Sequence, residues 1–362
     1  MGKSVYIGVG GVARKVKNIY IGINGVARRV KKAYIGVGGV ARCFYSTDLA
    51  YYGTATALSA ARSYLEATTV GNYALFGGGY NGSVSAVVEA YSSSLTRSIP
   101  TAFSTARRGH AATTIGSYAL FGGGYNSDGA SQSSVERYNS SLTKGTSALG
   151  WIASDLAAAA NSSYALFGGG YSTGSNYLNG VTAFNSSLTV TYPTTLSASR
   201  KSLGAASVGS YVLFAGGSTS SNSSVVDAYN TSLTRSTPTA LSASREGLRG
   251  TTVGSYALFG SGTSSAVVDA YNTSLTRTTA TALSAARGIL AATTVGDYAL
   301  FGGGNISGTS SAVVDAYNTS LTRTTATSLS AARAALAATA VGDYALFGGG
   351  TGYSSVVDAY AA

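Results

Sequence analysis

Short apolar runs alternate with glycines and small polar residues along most of the chain. From Leu283 to Arg323, GILAATTV reads as a strand and GD as a turn. YALFGG then gives a second strand, SAVVDAYN a third and SLTRTTATSL an outer fourth. The YALFGG core or a close variant recurs around Phe76, Phe121, Phe167, Phe214, Phe259, Phe301 and Phe347, at spacings of 45, 46, 47, 45, 42 and 46 residues. A glycine-rich turn after an apolar run is also how a phosphate-binding loop begins. That loop needs Gly-Lys-Ser/Thr opening a helix, and here Ser, Asn and Tyr follow with no lysine nearby. A catalytic loop is used once, whereas a structural unit is used repeatedly. Four short strands in each of seven units predict an all-β, seven-bladed β-propeller.

Closure of the ring is readable as well. The last unit stops at VVDAYAA, after its third strand, while STDLAYYGTATALSAAR ahead of Arg62 matches NTSLTRTTATALSAAR. Residues about 46–58 are therefore expected to supply the outer strand of the last blade, removing the open sheet edges. The ring then spans 46–362.

Residues 1–45 follow another period. VYIGVGGVARKVKN, IYIGINGVARRVKK and AYIGVGGVARCFYS place Tyr6, Tyr20 and Tyr34 fourteen residues apart. Each copy reads as a hairpin turning at Gly10–Gly11, Asn24–Gly25 or Gly38–Gly39, pairs that accept the positive φ of a type I′ turn. The segment holds nine Lys/Arg and no acid, so most of the +11 net charge sits here; 46–362 carries 15 basic and 13 acidic residues. A solvated β face explains these cations more simply than nucleic-acid binding does. These units resemble the YIGVGGVARKVKK repeats of phage and prophage structural proteins of Gram-positive bacteria. The resemblance implies association with other virion (tail) proteins through 1–45, for anchoring or homo-oligomer formation.

The glycine doublet after an apolar strand (Gly77–Gly78 and its equivalents), followed by VVEAY, VERY or VVDAY, resembles the Kelch family across about 46–362. The resemblance implies a Kelch-like propeller. The tryptophan that commonly closes a Kelch unit is replaced by SLTR or SLTK, and the single Trp151 lies elsewhere.

Comparison between units separates scaffold from candidate function. Six carry an arginine before the first strand (Arg62, Arg107, Arg200, Arg245, Arg287, Arg333) and six an acid in the third (Glu89, Glu136, Asp227, Asp269, Asp315, Asp358). The third unit has Ala153 and Thr182 instead, losing both at once. This predicts structural ion pairs, because a buried charge stripped of its partner is costly. Arg277, in SLTR, reads as exposed.

No enzyme inventory emerges. One His and one Cys leave no thiolate metal site and no His–carboxylate set. The copper site that a resemblance to galactose oxidase would imply needs two histidines. His110 falls where other units have Leu and reads as a packing residue. No catalytic residue, cofactor or metal is therefore expected.

The units differ most between their second and third strands, where Tyr, Ser, Gly and Asn supply adaptable contact surface. Candidate ligand-binding residues are Tyr80, Asn81, Tyr125, Asn126, Asp128, Tyr171, Asn176, Tyr177, Asn305 and Tyr353, with the first three blades favoured. The expected function is a non-enzymatic virion protein whose propeller loops recognise a host-surface glycan or protein. The alternative is an intracellular bacterial Kelch-like scaffold for protein partners. No signal peptide or apolar run long enough to span a bilayer is present, so the virion (phage tail) or the bacterial cytoplasm is the expected location.

Overall fold

A computed structural model describes residues 6–9, 12–15, 19–23, 26–30, 32–37, 40–46, 48–174, 176–263 and 265–362. These residues are all-β, with no helix among them. Seven four-stranded antiparallel sheets form the blades of a β-propeller. Blade 6 is typical: Ala291–Val295, Tyr298–Gly302, Val314–Asn318 and Arg323–Ala326 pair in that order. Blade 7 takes its outer strand from Ala50–Ala55, which pairs with Val357–Ala361 from Ala50↔Ala361 to Val357↔Ala55. Three separate two-stranded hairpins precede the ring: Tyr6–Val9 with Val12–Lys15, Tyr20–Ile23 with Val26–Arg29, and Lys32–Val37 with Val40–Ser46. The turns expected at Gly10–Gly11, Asn24–Gly25 and Gly38–Gly39 lie outside the described residues.

The core is an interface repeated between blades. The second strand of each blade is buried along its apolar positions, as at Ala299, Leu300 and Phe301. In six blades this strand ends in a glycine facing an aromatic ring of the next unit, and in blade 4 it ends in Ala215. A Cβ on Gly302 would lie 2.6 Å from the Phe347 ring, so only glycine permits this approach. The following Gly303 and Gly304 have φ of +69° and +107°, which turn the chain out of the sheet.

Third-strand tyrosines fasten the blades. Tyr91, Tyr138, Tyr229, Tyr271, Tyr317 and Tyr360 are buried, and each donates its hydroxyl to a backbone carbonyl of the linker before its blade; for Tyr317 and Thr281 the distance is 2.7 Å. Blade 3 has Phe184 there. Tyr317→Phe is expected to cost about 1 kcal/mol, the worth of one such bond, read as a lower denaturant midpoint with an unchanged slope.

The NTSL segments are tight turns. Asn230, Asn272 and Asn318 each accept two backbone N–H groups on Oδ1, two and four residues on, at 2.9–3.0 Å. The leucine of each turn sits near φ +60°.

Candidate functional site

The six arginines lie against the acids of their own units, in a network that ties each linker to its blade. Arg287 and Asp315 are both fully buried and meet at 2.5 Å. Arg333 and Asp358 meet at 2.6 Å, Arg107 and Glu136 at 3.5 Å. Arg62–Glu89, Arg200–Asp227 and Arg245–Asp269 also pair. Other guanidinium donors reach carbonyls, as Arg287 Nη1 does to Gly303 (3.0 Å) and Val313 (2.5 Å), while Nε of Arg245, Arg287 and Arg333 has no hydrogen-bond partner. Each carboxylate also accepts a linker backbone N–H, Ser284 N–H for Asp315 at 3.2 Å. Desolvation pulls the Arg287 pKa below its usual value, and Asp315 opposes that shift.

Two features modify this reading. Arg277 is only 26% exposed and meets Asp269 at 3.0 Å, so it is a second cation on the acid rather than a free surface group. Lys144, Arg235 and Arg323 take the same place on Glu136, Asp227 and Asp315, and the Tyr51 hydroxyl takes it on Asp358 at 2.7 Å. In blade 3, Ala153 and Thr182 are fully buried, and the linker that would carry the arginine is absorbed into the ten-residue strand Lys144–Ala153. The two missing charges leave neither partner stranded.

Antiparallel pairing puts all the loops between second and third strands at one end of the ring, together with the linkers entering the next first strand. Here the candidate tyrosines come together with charged residues not singled out in the sequence. The Arg108 guanidinium lies 4.7 Å from the Tyr80 ring centre. The Tyr125 hydroxyl donates to Asp155 Oδ2 at 2.9 Å, and burial pushes the Tyr125 pKa up to about 12. Tyr171 and Tyr177 meet edge to face at 5.7 Å, with Lys201 Nζ 4.8 Å from the Tyr171 ring centre and 5.8 Å from that of Tyr177. Burial raises the Asp155 pKa, while Tyr125, Lys201 and Arg108 pull it down. In blade 4, Ser218 Oγ bonds Glu246. The surface is a belt of aromatic faces on blades 1 to 3 with fixed charges reaching into blade 4, whereas Ser218, Thr263, Asn305 and Thr351 replace the tyrosine in blades 4 to 7. The missed signal was the residue after each buried arginine position: Ser63, Arg108, Ser154, Lys201, Glu246, Gly288 and Ala334.

The other candidates divide by what holds them. Asn126 Oδ1 accepts N–H groups of Asp128 and Ala130, so its carbonyl shapes the loop. Asn305 Oδ1 likewise accepts Gly308 N–H at 2.7 Å. Asn81, Asp128 and Asn176 are exposed on blades 1 to 3. Tyr353 is half exposed on blade 7. His110 is 2% exposed between Phe103 and Phe121, with ring centres 5.8 and 6.0 Å away. Burial followed by the Arg107 charge lowers its pKa to about 3, with the Gly77 backbone opposing the shift. Among the described residues no group of three or more His, Cys, Asp or Glu could hold a metal ion, and no helix is long and apolar enough to cross a membrane.

No known family profile matches the chain, and no curated protein matches it in sequence. Among solved structures it is similar to that of YjhT, with a TM-score of 0.60 and 11% identity over 75% of this chain and 99% of the other. At that identity the likeness is one of fold, and it adds an experimental counterpart to the β-propeller described above.

Proposed function

We propose that the chain is a non-enzymatic recognition protein, a divergent Kelch-like propeller that binds glycans of a bacterial host surface from a phage virion. The observation supporting this is the belt on blades 1 to 4. Tyrosine faces suit the apolar faces of sugar rings, and the neighbouring Arg108, Asp155 and Lys201 suit their hydroxyl and acidic groups. The tyrosines are held by cation–π and hydrogen-bond contacts, so little side-chain entropy remains to be lost on binding. The basic repeats of 1–45 are assigned to anchoring on other virion proteins.

The test is binding of the full chain to cell-wall preparations from a panel of Gram-positive bacteria at two salt concentrations. Tyr171→Ala is expected to weaken strain-selective, salt-resistant binding at least tenfold, as loss of a central aromatic anchor does. Thr263→Ala, at the equivalent place in blade 5, should bind like the parent. Equal binding by the Tyr171 variant, or binding abolished by salt, would remove the glycan reading and favour a scaffold for protein partners.

A further inference from the structure

The seven first strands line the axis, and they carry two charged side chains, Glu66 in blade 1 and Arg249 in blade 5. Elsewhere the same position is Ala111, Ala157, Gly204, Ala291 or Ala337. The small residues leave an axial cavity of about 140 Å³. Blades 1 and 5 are not neighbours, yet Arg249 Nη2 lies 3.2 Å from Glu66 Oε1, so the pair crosses this cavity. Arg249 Nε also donates to the Leu290 carbonyl of blade 6 at 3.3 Å. One side chain of blade 5 thus holds both blade 6 and blade 1.

Where the linkers enter the first strands, a second set of bonds runs around the axis. Tyr64 N–H donates to Ala335 O, and Ala335 N–H to Ile289 O, linking blades 1, 7 and 6. Gly247, Ser202 and Asp155 donate in turn to Ser202, Asp155 and Gly109, linking blades 5, 4, 3 and 2. Among the described residues this chain of bonds is not continued from Gly109 to Tyr64 or from Ile289 to Gly247. At this level the ring is therefore two arcs, with seams between blades 1 and 2 and between blades 5 and 6. Deeper in, threonine pairs at 2.8 Å close the same seams: Thr68 with Thr114, and Thr251 with Thr294.

We propose that Arg249 is a cross-axis staple that holds the two arcs together at the level where their backbone bonds stop. It bridges one seam directly through Leu290 and joins the free ends of the arcs through Glu66. This device is independent of what the loop face binds.

Hydrogen exchange of the full chain, read by mass spectrometry, tests it, because local opening sets the exchange rate of each strand. Arg249→Ala and Glu66→Ala both install the residue that blades 2, 3, 6 and 7 already carry. Arg249→Ala is expected to raise exchange about fivefold in Glu66–Val70, Arg249–Val253 and Ala291–Val295, the upper end for a partly exposed ion pair. Ala157–Ala160 and Gly204–Val208 should be unchanged. Glu66→Ala should affect the first two segments and spare Ala291–Val295, whose contact with Arg249 remains. Unchanged exchange in the Arg249 variant, or an equal increase in all seven first strands, would overturn the proposal.

Discussion

Arg287→Ala is expected to destabilise the ring by about 3 kcal/mol, the lower end of the range for breaking a buried ion pair. The loss stays at that end because Asp315 keeps Arg323 at 2.8 Å and the Ser284 N–H. The decisive comparison is with the double variant Arg287→Ala/Asp315→Thr, which installs the residues that blade 3 carries as Ala153 and Thr182. Removing both charges leaves no stranded carboxylate, so the double variant should be more stable than Arg287→Ala alone. Denaturant titration of parent, both single variants and the double variant measures the coupling. Additive losses, or a cost for Arg287→Ala within about 0.5 kcal/mol, the size of an ordinary surface change, would show that the pair does not hold the blade.

His110→Leu is expected to flatten the loss of stability in acid. In the folded ring the pKa of His110 lies at about 3, against about 6.5 in an unfolded chain. A depressed folded value means that the neutral ring's contribution is intact above pH 6.5 and is lost as pH falls toward 3. Unfolding binds a proton in that window, at about 1.4 kcal/mol per pH unit. Because the side chain is only 2% exposed, solvent screening removes little of this. At pH 4 the parent should therefore have lost about 3 kcal/mol more than the leucine variant, relative to pH 7. The variant should also be close to the parent in stability at neutral pH, since Leu65, Leu290 and their equivalents fill this place elsewhere. Denaturant midpoints at pH 7, 5 and 4 decide the matter, and parallel profiles for the two proteins would contradict it.

The ring was legible because each blade buries the same surface against the next. Phe301 must fit Gly260 on one side as Phe347 fits Gly302 on the other, so YALFGG changes between units only by small replacements such as Ala215 and Ser261. The arginine–acid network was legible through the joint loss at Ala153 and Thr182. Arg277 was misread because the SLTR arginine follows a surface turn, and nothing local reveals that its guanidinium folds back onto Asp269. Arg108, Asp155 and Lys201 escaped notice because they sit in linkers, one blade beyond the tyrosines they accompany. Glu66 and Arg249 escaped for a stronger reason. Their contact spans 183 positions and joins blades that share no interface, so only the curvature of the ring brings them together.

The clasp of blade 7 also sets how the molecule carries load. Any tension reaching the ring through residues before Asp48 enters at Ala50–Ala55, and the Ala50↔Ala361 pair is the first to feel it. Tyr51 is the next residue in line. It grips Asp358 through its hydroxyl and packs edge-on against Tyr360 at 5.3 Å, while Tyr52 rests on Tyr344 at 4.8 Å. A pull on the amino-terminal repeats would therefore peel this one strand before disturbing six of the seven blades, and the two tyrosines stand where the peeling would begin.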